Sequence, residues 1–304
     1  MINRQLTKIT ILLCFFISGI ANSIVAQETT YERKDDNSVW MEINPNTKNP
    51  RRFTEDNLVY QAGLVDTFTF HYFNPSGKEC YMKFDPIQQT KIDRIHNGDT
   101  SFYTTYIPSY KLIDTFRTDS CIHLYTMKVH PDQKGFGPNY NQTVVEFNML
   151  LNGESKAISF TGIVDNPHNI WLHPNRDCLL RILELNPFPY IQFPIKRGKK
   201  WEWHLSIGSQ WGDQQWKTWE GKIENHYQYK IIKTDQDVKT PMGVLPCAVI
   251  KSTAKSELGK TALTAYYNEK YGFVRMEYVN IDGSRIIIDL VGTQSNVSTP
   301  TLYH

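Results

Sequence analysis

The sequence is short of several signatures that would place it quickly. Its 304 residues contain five cysteines, none of them in a CxxC pair, which leaves no redox motif and no zinc knuckle. There is no GxSxG elbow, no HExxH and no glycine-rich turn from strand to helix. Those absences argue against a standard α/β-hydrolase, a zincin and a nucleotide-binding α/β fold. No apolar run reaches the roughly 20 residues that a membrane-spanning helix needs. Acidic residues are missing from the first 27 positions, the first being Glu28.

That last gap belongs to a pattern. Arg4 and Lys8 precede the apolar run from Ile9 to Ile20, and small residues and Val25-Ala26-Gln27 follow. A basic start, a short apolar core and a small residue at the exit form a secretory signal. Cleavage is expected after Ala26, with Ala21 as the second choice. Removing residues 1–26 takes Arg4 and Lys8 with it, so the formal charge of +2 falls to zero. A neutral mature chain has no electrostatic case for nucleic acid, whose binding draws on neutralised phosphates. The expected location is the periplasm or cell envelope of a Gram-negative bacterium, with no transmembrane segment in the mature chain. Oligomeric state is left open.

What the chain has in quantity is aromatic and β-branched residues in short runs between turn signals. Hydrophobic residues make up 40% of it and aromatics 13%, enough for a substantial core. Residues 27–52 read as a polar lead-in with one apolar anchor at Val39-Trp40-Met41. Residues 53–165 form a β-rich N-terminal region. Asp66–Phe73 ends at Asn74-Pro75-Ser76-Gly77, Cys121–Val129 ends at His130-Pro131, and Asn152-Gly153 joins two strands as a hairpin. Asn175–Leu185 is expected to be one short helix with Asn175 or Asp177 as its cap and Leu179, Ile182 and Leu183 inward. Three prolines then impose an extended path through 186–194. In the C-terminal region, 166–292, Ile223, Tyr227, Tyr229 and Ile231 share one parity while Lys222, Glu224, His226, Gln228 and Lys230 take the other. Period-2 alternation with one polar face describes antiparallel sheets. Residues 293–304 read as a tail. The fold class is therefore mainly β: a curved antiparallel sheet or open barrel in the C-terminal region, a second β-rich region before it, and little helix.

Three segments of the last third carry a resemblance. They are Phe193-Pro-Ile-Lys-Arg-Gly-Lys-Lys-Trp201-Glu-Trp203, Thr240-Pro-Met-Gly243 with Cys247, and Ala265-Tyr-Tyr-Asn-Glu-Lys-Tyr-Gly272-Phe-Val274. Together they resemble motifs of poorly characterised exported β-proteins of the TapB-like kind. The resemblance implies an antiparallel, curved sheet or open barrel and brings no catalytic residues with it.

Five of the seven tryptophans lie between Trp201 and Trp219. Trp201 and Trp203 alternate along a strand and are expected in the core. Trp211, between Gly208 and Gly212, is expected in a loop. Exposed indoles stack on sugars or line apolar grooves, so Trp211, Trp216 and Trp219, with Asp213 and His204, form the candidate ligand site. The ligand would be an apolar small molecule or a glycan. His168, His173 and Asp177 offer imidazole and carboxylate donors, but at no recognised metal spacing, and no cofactor is called for. Catalytic residues are not identifiable, and whether the protein is an enzyme is left open. The competing functions are a hydrolase of envelope or imported glycans and a structural partner that binds by strand addition. If disulfides form, proximity favours Cys80–Cys121 and Cys178–Cys247, while buried free thiols are the alternative.

Overall fold

The structure is a computed structural model of the chain; it describes the backbone of residues 31–33, 39–41, 57–96, 99–131 and 142–295, and side chains within 57–85, 109–131 and 142–294. The signal segment, most of the lead-in and most of the tail lie outside the described residues. The described residues form seventeen strands, β1 (Tyr31–Arg33), β2 (Val39–Met41), β3 (Leu64–Phe73), β4 (Glu79–His96), β5 (Asp99–Ile113), β6 (Cys121–Ile122), β7 (Leu124–Val129), β8 (Thr143–Leu151), β9 (Glu154–Asn166), β10 (Asn169–Leu172), β11 (Tyr190–Gln192), β12 (Lys200–Gly208), β13 (Lys222–Thr240), β14 (Gly243–Ser256), β15 (Gly259–Asn268), β16 (Gly272–Val279) and β17 (Arg285–Ser295). β1 and β2 pair with each other, so the expected apolar anchor at Val39–Met41 is half of a small hairpin.

The other fifteen strands form one sheet, whose main path runs β11-β10-β9-β8-β7-β3-β17-β16-β15-β14-β13-β12. All the pairings are antiparallel, as the alternation implies. β13 shows why: Ile223, Asn225, Tyr227, Tyr229 and Ile231 are buried while Lys222, Glu224, His226, Gln228 and Lys230 are exposed. Asn152 and Gly153, both at positive φ (53° and 80°), turn β8 into β9 in the manner of a tight two-residue hairpin. β3, from the N-terminal region, pairs along its length with β17, from the C-terminal one. The two regions of the sequence therefore share a single sheet.

The sheet curls into a nearly closed barrel. Its end strands, β11 and β12, are joined by only seven residues and meet through rings instead of ladder hydrogen bonds. Trp201 stacks on Tyr229 at 5.3 Å, and Tyr190 stands edge-on to Trp201 at 5.6 Å. Trp203 stacks on Tyr227 at 4.8 Å, and Phe188 and Trp171 close on it at 5.5 and 5.6 Å.

The expected helix is a 3-10 helix, Cys178–Leu185, of which every residue but Arg181 is buried. It lies inside the barrel. Leu185 O accepts from Asn225 Nδ2 (3.0 Å) and Thr261 Oγ1 (2.9 Å), and Asn186 Nδ2 donates to Val279 O at 2.9 Å. Neither expected cap acts as one: Asp177 Oδ2 accepts from Ser159 Oγ instead, and Asn175 Oδ1 accepts from Asp177 N. With this helix and the fully buried Tyr60, Phe188, Tyr190, Tyr227 and Tyr278, the described interior is filled by side chains, as in small barrels generally.

The four described cysteines are buried and none is in a disulfide, so neither expected bridge is formed. For Cys80 and Cys121 the register explains this. Cys121 is opposite Lys83, three residues from Cys80, a displacement of roughly 10 Å along the strand. A disulfide tolerates about 4.4–6.8 Å between Cα atoms.

Candidate functional site

After β12 the chain makes a short 3-10 turn, Ser209–Trp211, and a loop that returns at Lys222. The loop folds on its own tryptophans. Trp216 is buried at 7% exposure; Trp211 and Trp219 are partly buried and pack against the same core. At Gly212 a Cβ would come within 3.3 Å of the Trp219 ring and 3.1 Å of Ser209 O, so the loop packs tightly around it. Asp213 organises the turn: its N–H donates to Lys217 O and its carboxylate accepts from Gln215 N, both at 2.9 Å. The structure thus gathers Trp211, Trp216, Trp219 and Asp213 into one loop. It leaves His204 on the outer face of β12, exposed beside His226 with ring centroids 6.3 Å apart.

The loop leans on the start of the 3-10 helix, where two residues absent from the sequence-level candidates appear. The guanidiniums of Arg176 and Arg181 lie 5.5 and 5.8 Å from the centroid of the Trp211 ring. Arg176 donates to Phe160 O, and Arg181 donates to Gln210 O at 2.9 Å. Each of these bonds uses one of a guanidinium's five donors. Among the described residues no carboxylate oxygen lies within ion-pair distance of either. Asp177, between them in sequence, is turned away to Ser159, and burial raises its carboxyl to about 6 despite the Arg176 charge. Cys178 holds φ +50°, a left-handed conformation uncommon for a residue with a Cβ. Such backbone clusters at functional sites.

Beneath the arginines lies His173. Its Nδ1 donates to Pro174 O at 2.9 Å, which leaves Nε2 to face Glu184 Oε1 at 3.4 Å. Burial lowers the imidazole to about 3 and raises the Glu184 carboxyl to about 7. The pair is therefore a neutral ring against an acid that holds its proton through mildly acidic pH. His168 is exposed in the turn between β9 and β10, with its N–H bonded to Asn166 Oδ1. The three residues weighed as metal ligands thus have separate occupations, and among the described residues no group of three His, Cys, Asp or Glu side chains is placed to hold a metal ion.

Packing and site residues separate by substitution. Trp201→Ala removes a 5%-exposed ring stacked on Tyr229, and should cost about 3–5 kcal/mol. Trp211→Ala gives up a partly buried ring and two cation–π contacts, and about 1–2 kcal/mol is expected. Urea unfolding of both variants measures the difference. Equal losses would make Trp211 a packing residue like Trp201.

No family model matches the chain, and no curated protein matches it. Two solved structures do. One is a Bacteroides fragilis protein assigned as exported, with a YmcC-like fold, at 12% identity and a TM-score of 0.40, covering 79% of this chain and 99% of that one. The other is a Parabacteroides distasonis protein assigned as a lipoprotein, at 10% identity and a TM-score of 0.40, covering 78% and 97%. At this level the likeness carries no argument about chemistry, and the TapB-like resemblance stays one of motifs.

Proposed function

We propose that the protein is exported to the cell envelope and binds an acidic carbohydrate at the corner formed by Arg176, Arg181 and the Trp211 loop. Export rests on the basic, apolar and small-residue pattern of residues 1–26. The observation that carries the ligand is the pair of arginines near one indole, with no carboxylate within ion-pair distance among the described residues. Two guanidiniums lie within 5.5 and 5.8 Å of the same ring centroid, so two positive charges gather at one indole. In this reading Trp211 supports the arginines, and their remaining N–H donors hold the ligand's carboxylate. The indole serves in this reading as the support for the arginines, and not as an open stacking face. Asp213, Trp216 and Trp219 then act by holding the loop in place. The positive φ at Cys178 fits a corner whose backbone is set by binding as well as by packing.

The test is a titration followed by tryptophan emission, with a galacturonate trisaccharide against maltotriose. The acidic sugar should perturb the emission saturably and the neutral one should not. Arg176→Gln combined with Arg181→Gln should weaken the acidic sugar at least tenfold, since each charge-assisted hydrogen bond contributes about 1.5–3 kcal/mol. An unchanged affinity in that double variant, or no response to either sugar, would sink the reading.

A further inference from the structure

β3 changes partner along one edge. Residues Val65–Thr69 pair with β7, whereas Tyr72 and Phe73 pair with β4, and β4 in turn pairs with β6. β6 and β7 are two parts of one run of chain, so the sheet forks at the residue between them, His123. Its carbonyl pins the fork by accepting from Phe70 N and Thr69 Oγ1, each at 3.0 Å. Where β4 and β6 diverge from β3 and β7 the strands cannot close on each other, and a cavity of about 380 Å³ opens. That is within the roughly 300–1,000 Å³ usual for small-molecule sites.

We infer that this fork cleft is a binding site for a small aromatic amine. The floor is apolar, made by Phe70, Met82 and Ile122. One wall is aromatic: Phe116, 37% exposed, stands edge-on to Tyr81 at 5.4 Å and to His123 at 5.0 Å. Among the polar groups that line it, the carboxylate is Glu79. Glu79 takes His71 Nδ1 on Oε1 at 2.8 Å and the Tyr81 hydroxyl on Oε2 at 3.2 Å, and each oxygen keeps a further lone pair. The nearby charges, Lys78 and Asp114, are paired with each other. A ring on the apolar floor with an ammonium reaching Glu79 pairs opposite charges, whereas a carboxylate ligand would face that carboxylate. The cleft shares no residue with the Arg176–Arg181 corner and does not depend on that site.

Three probes of one shape decide the class: 2-phenylethylamine, 2-phenylethanol and phenylacetate, titrated against the full mature chain by calorimetry. The amine should bind tightest, at least fivefold over the alcohol, with phenylacetate weakest. Glu79→Gln, in a side chain 35% exposed and so tolerant of change, should erase the amine's advantage over the alcohol. Phe116→Ala should weaken all three alike. Equal binding of the three, an amine preference that survives Glu79→Gln, or no binding of the amine at all would overturn the inference.

Discussion

Gly272→Ala is expected to cost on the order of 2–5 kcal/mol, a large share of the roughly 5–15 kcal/mol by which folded domains are usually stable. Gly272 has φ +73°, where a Cβ costs roughly 1–2 kcal/mol. A Cβ there would also fall within 2.6 Å of Tyr60 Cζ, and closer to Tyr60 Oη. Tyr60 cannot retreat. It is fully buried, its hydroxyl accepts from Phe273 N at 3.0 Å, and its own N–H donates to Asp165 Oδ2 at 2.9 Å. Overpacking of that kind adds about 1–3 kcal/mol. Gly153 provides the control, with φ +80° but nothing within 4 Å of an added methyl. Gly153→Ala should lose only the conformational part, about 1–2 kcal/mol. Urea unfolding of both variants compares them, and equal losses would remove the clash with Tyr60 from the account.

The same contacts explain the motifs of the last third in physical terms. Asn268 Oδ1 accepts from Lys270 N and Tyr271 N to shape the turn that Gly272 completes, while Asn268 Nδ2 donates to Pro246 O beside Cys247. Tyr267 has its ring 5.5 Å from Phe273 and 6.0 Å from Phe193. The three segments that resemble exported β-proteins therefore meet at one place, and what they encode is a barrel corner. Much of this architecture is legible in order along the chain. The alternation of β13 and the turns at Asn152-Gly153 and Asp282-Gly283 are local, and each predicts its hairpin. β4 and β5 are less legible because Pro86 and Pro108 interrupt them. The register slips between Asp85 and Gln89, and a bulge is where a sheet accommodates proline. The pairing of β3 with β17 is invisible locally, since more than 200 positions separate the partners Phe73 and Arg285. The tryptophans of the candidate site stand out by number alone. Arg176 and Arg181 do not, because arginines at and within a short helix read as a solvated face until the Trp211 loop is laid over them. The fork cleft has no local signal at all, for it exists only because one strand changes partner.

Glu184→Gln should raise stability at alkaline pH relative to acid pH, through the buried pair with His173. Burial lifts the Glu184 carboxyl from 4.5 to about 7, so its contribution to stability is fully present below pH 4.5 and is lost as pH rises toward 7. His173 runs the other way. Its imidazole is lowered from 6.5 to about 3, so its contribution is present above pH 6.5 and is lost as pH falls toward 3. Between pH 4.5 and 6.5 the two slopes oppose each other in the native chain. Glutamine keeps the shape of the protonated acid and leaves a neutral amide facing His173 Nε2. It cannot ionise, which leaves only the histidine slope. The difference in unfolding free energy, variant minus native, should therefore grow in the variant's favour by on the order of 3 kcal/mol from pH 4 to pH 8. Taking the difference removes the buried carboxyls Asp66 and Asp177, each raised to about 6 and present in both proteins. Urea denaturation at about pH 4, 6 and 8 gives the profile. A difference that stays flat would mean that Glu184 is already ionised in the native barrel, with the Arg176 and Arg181 charges overcoming its burial. The pair would then be an imidazole facing a carboxylate, and the corner would carry a resident anion of its own in competition with any acidic ligand.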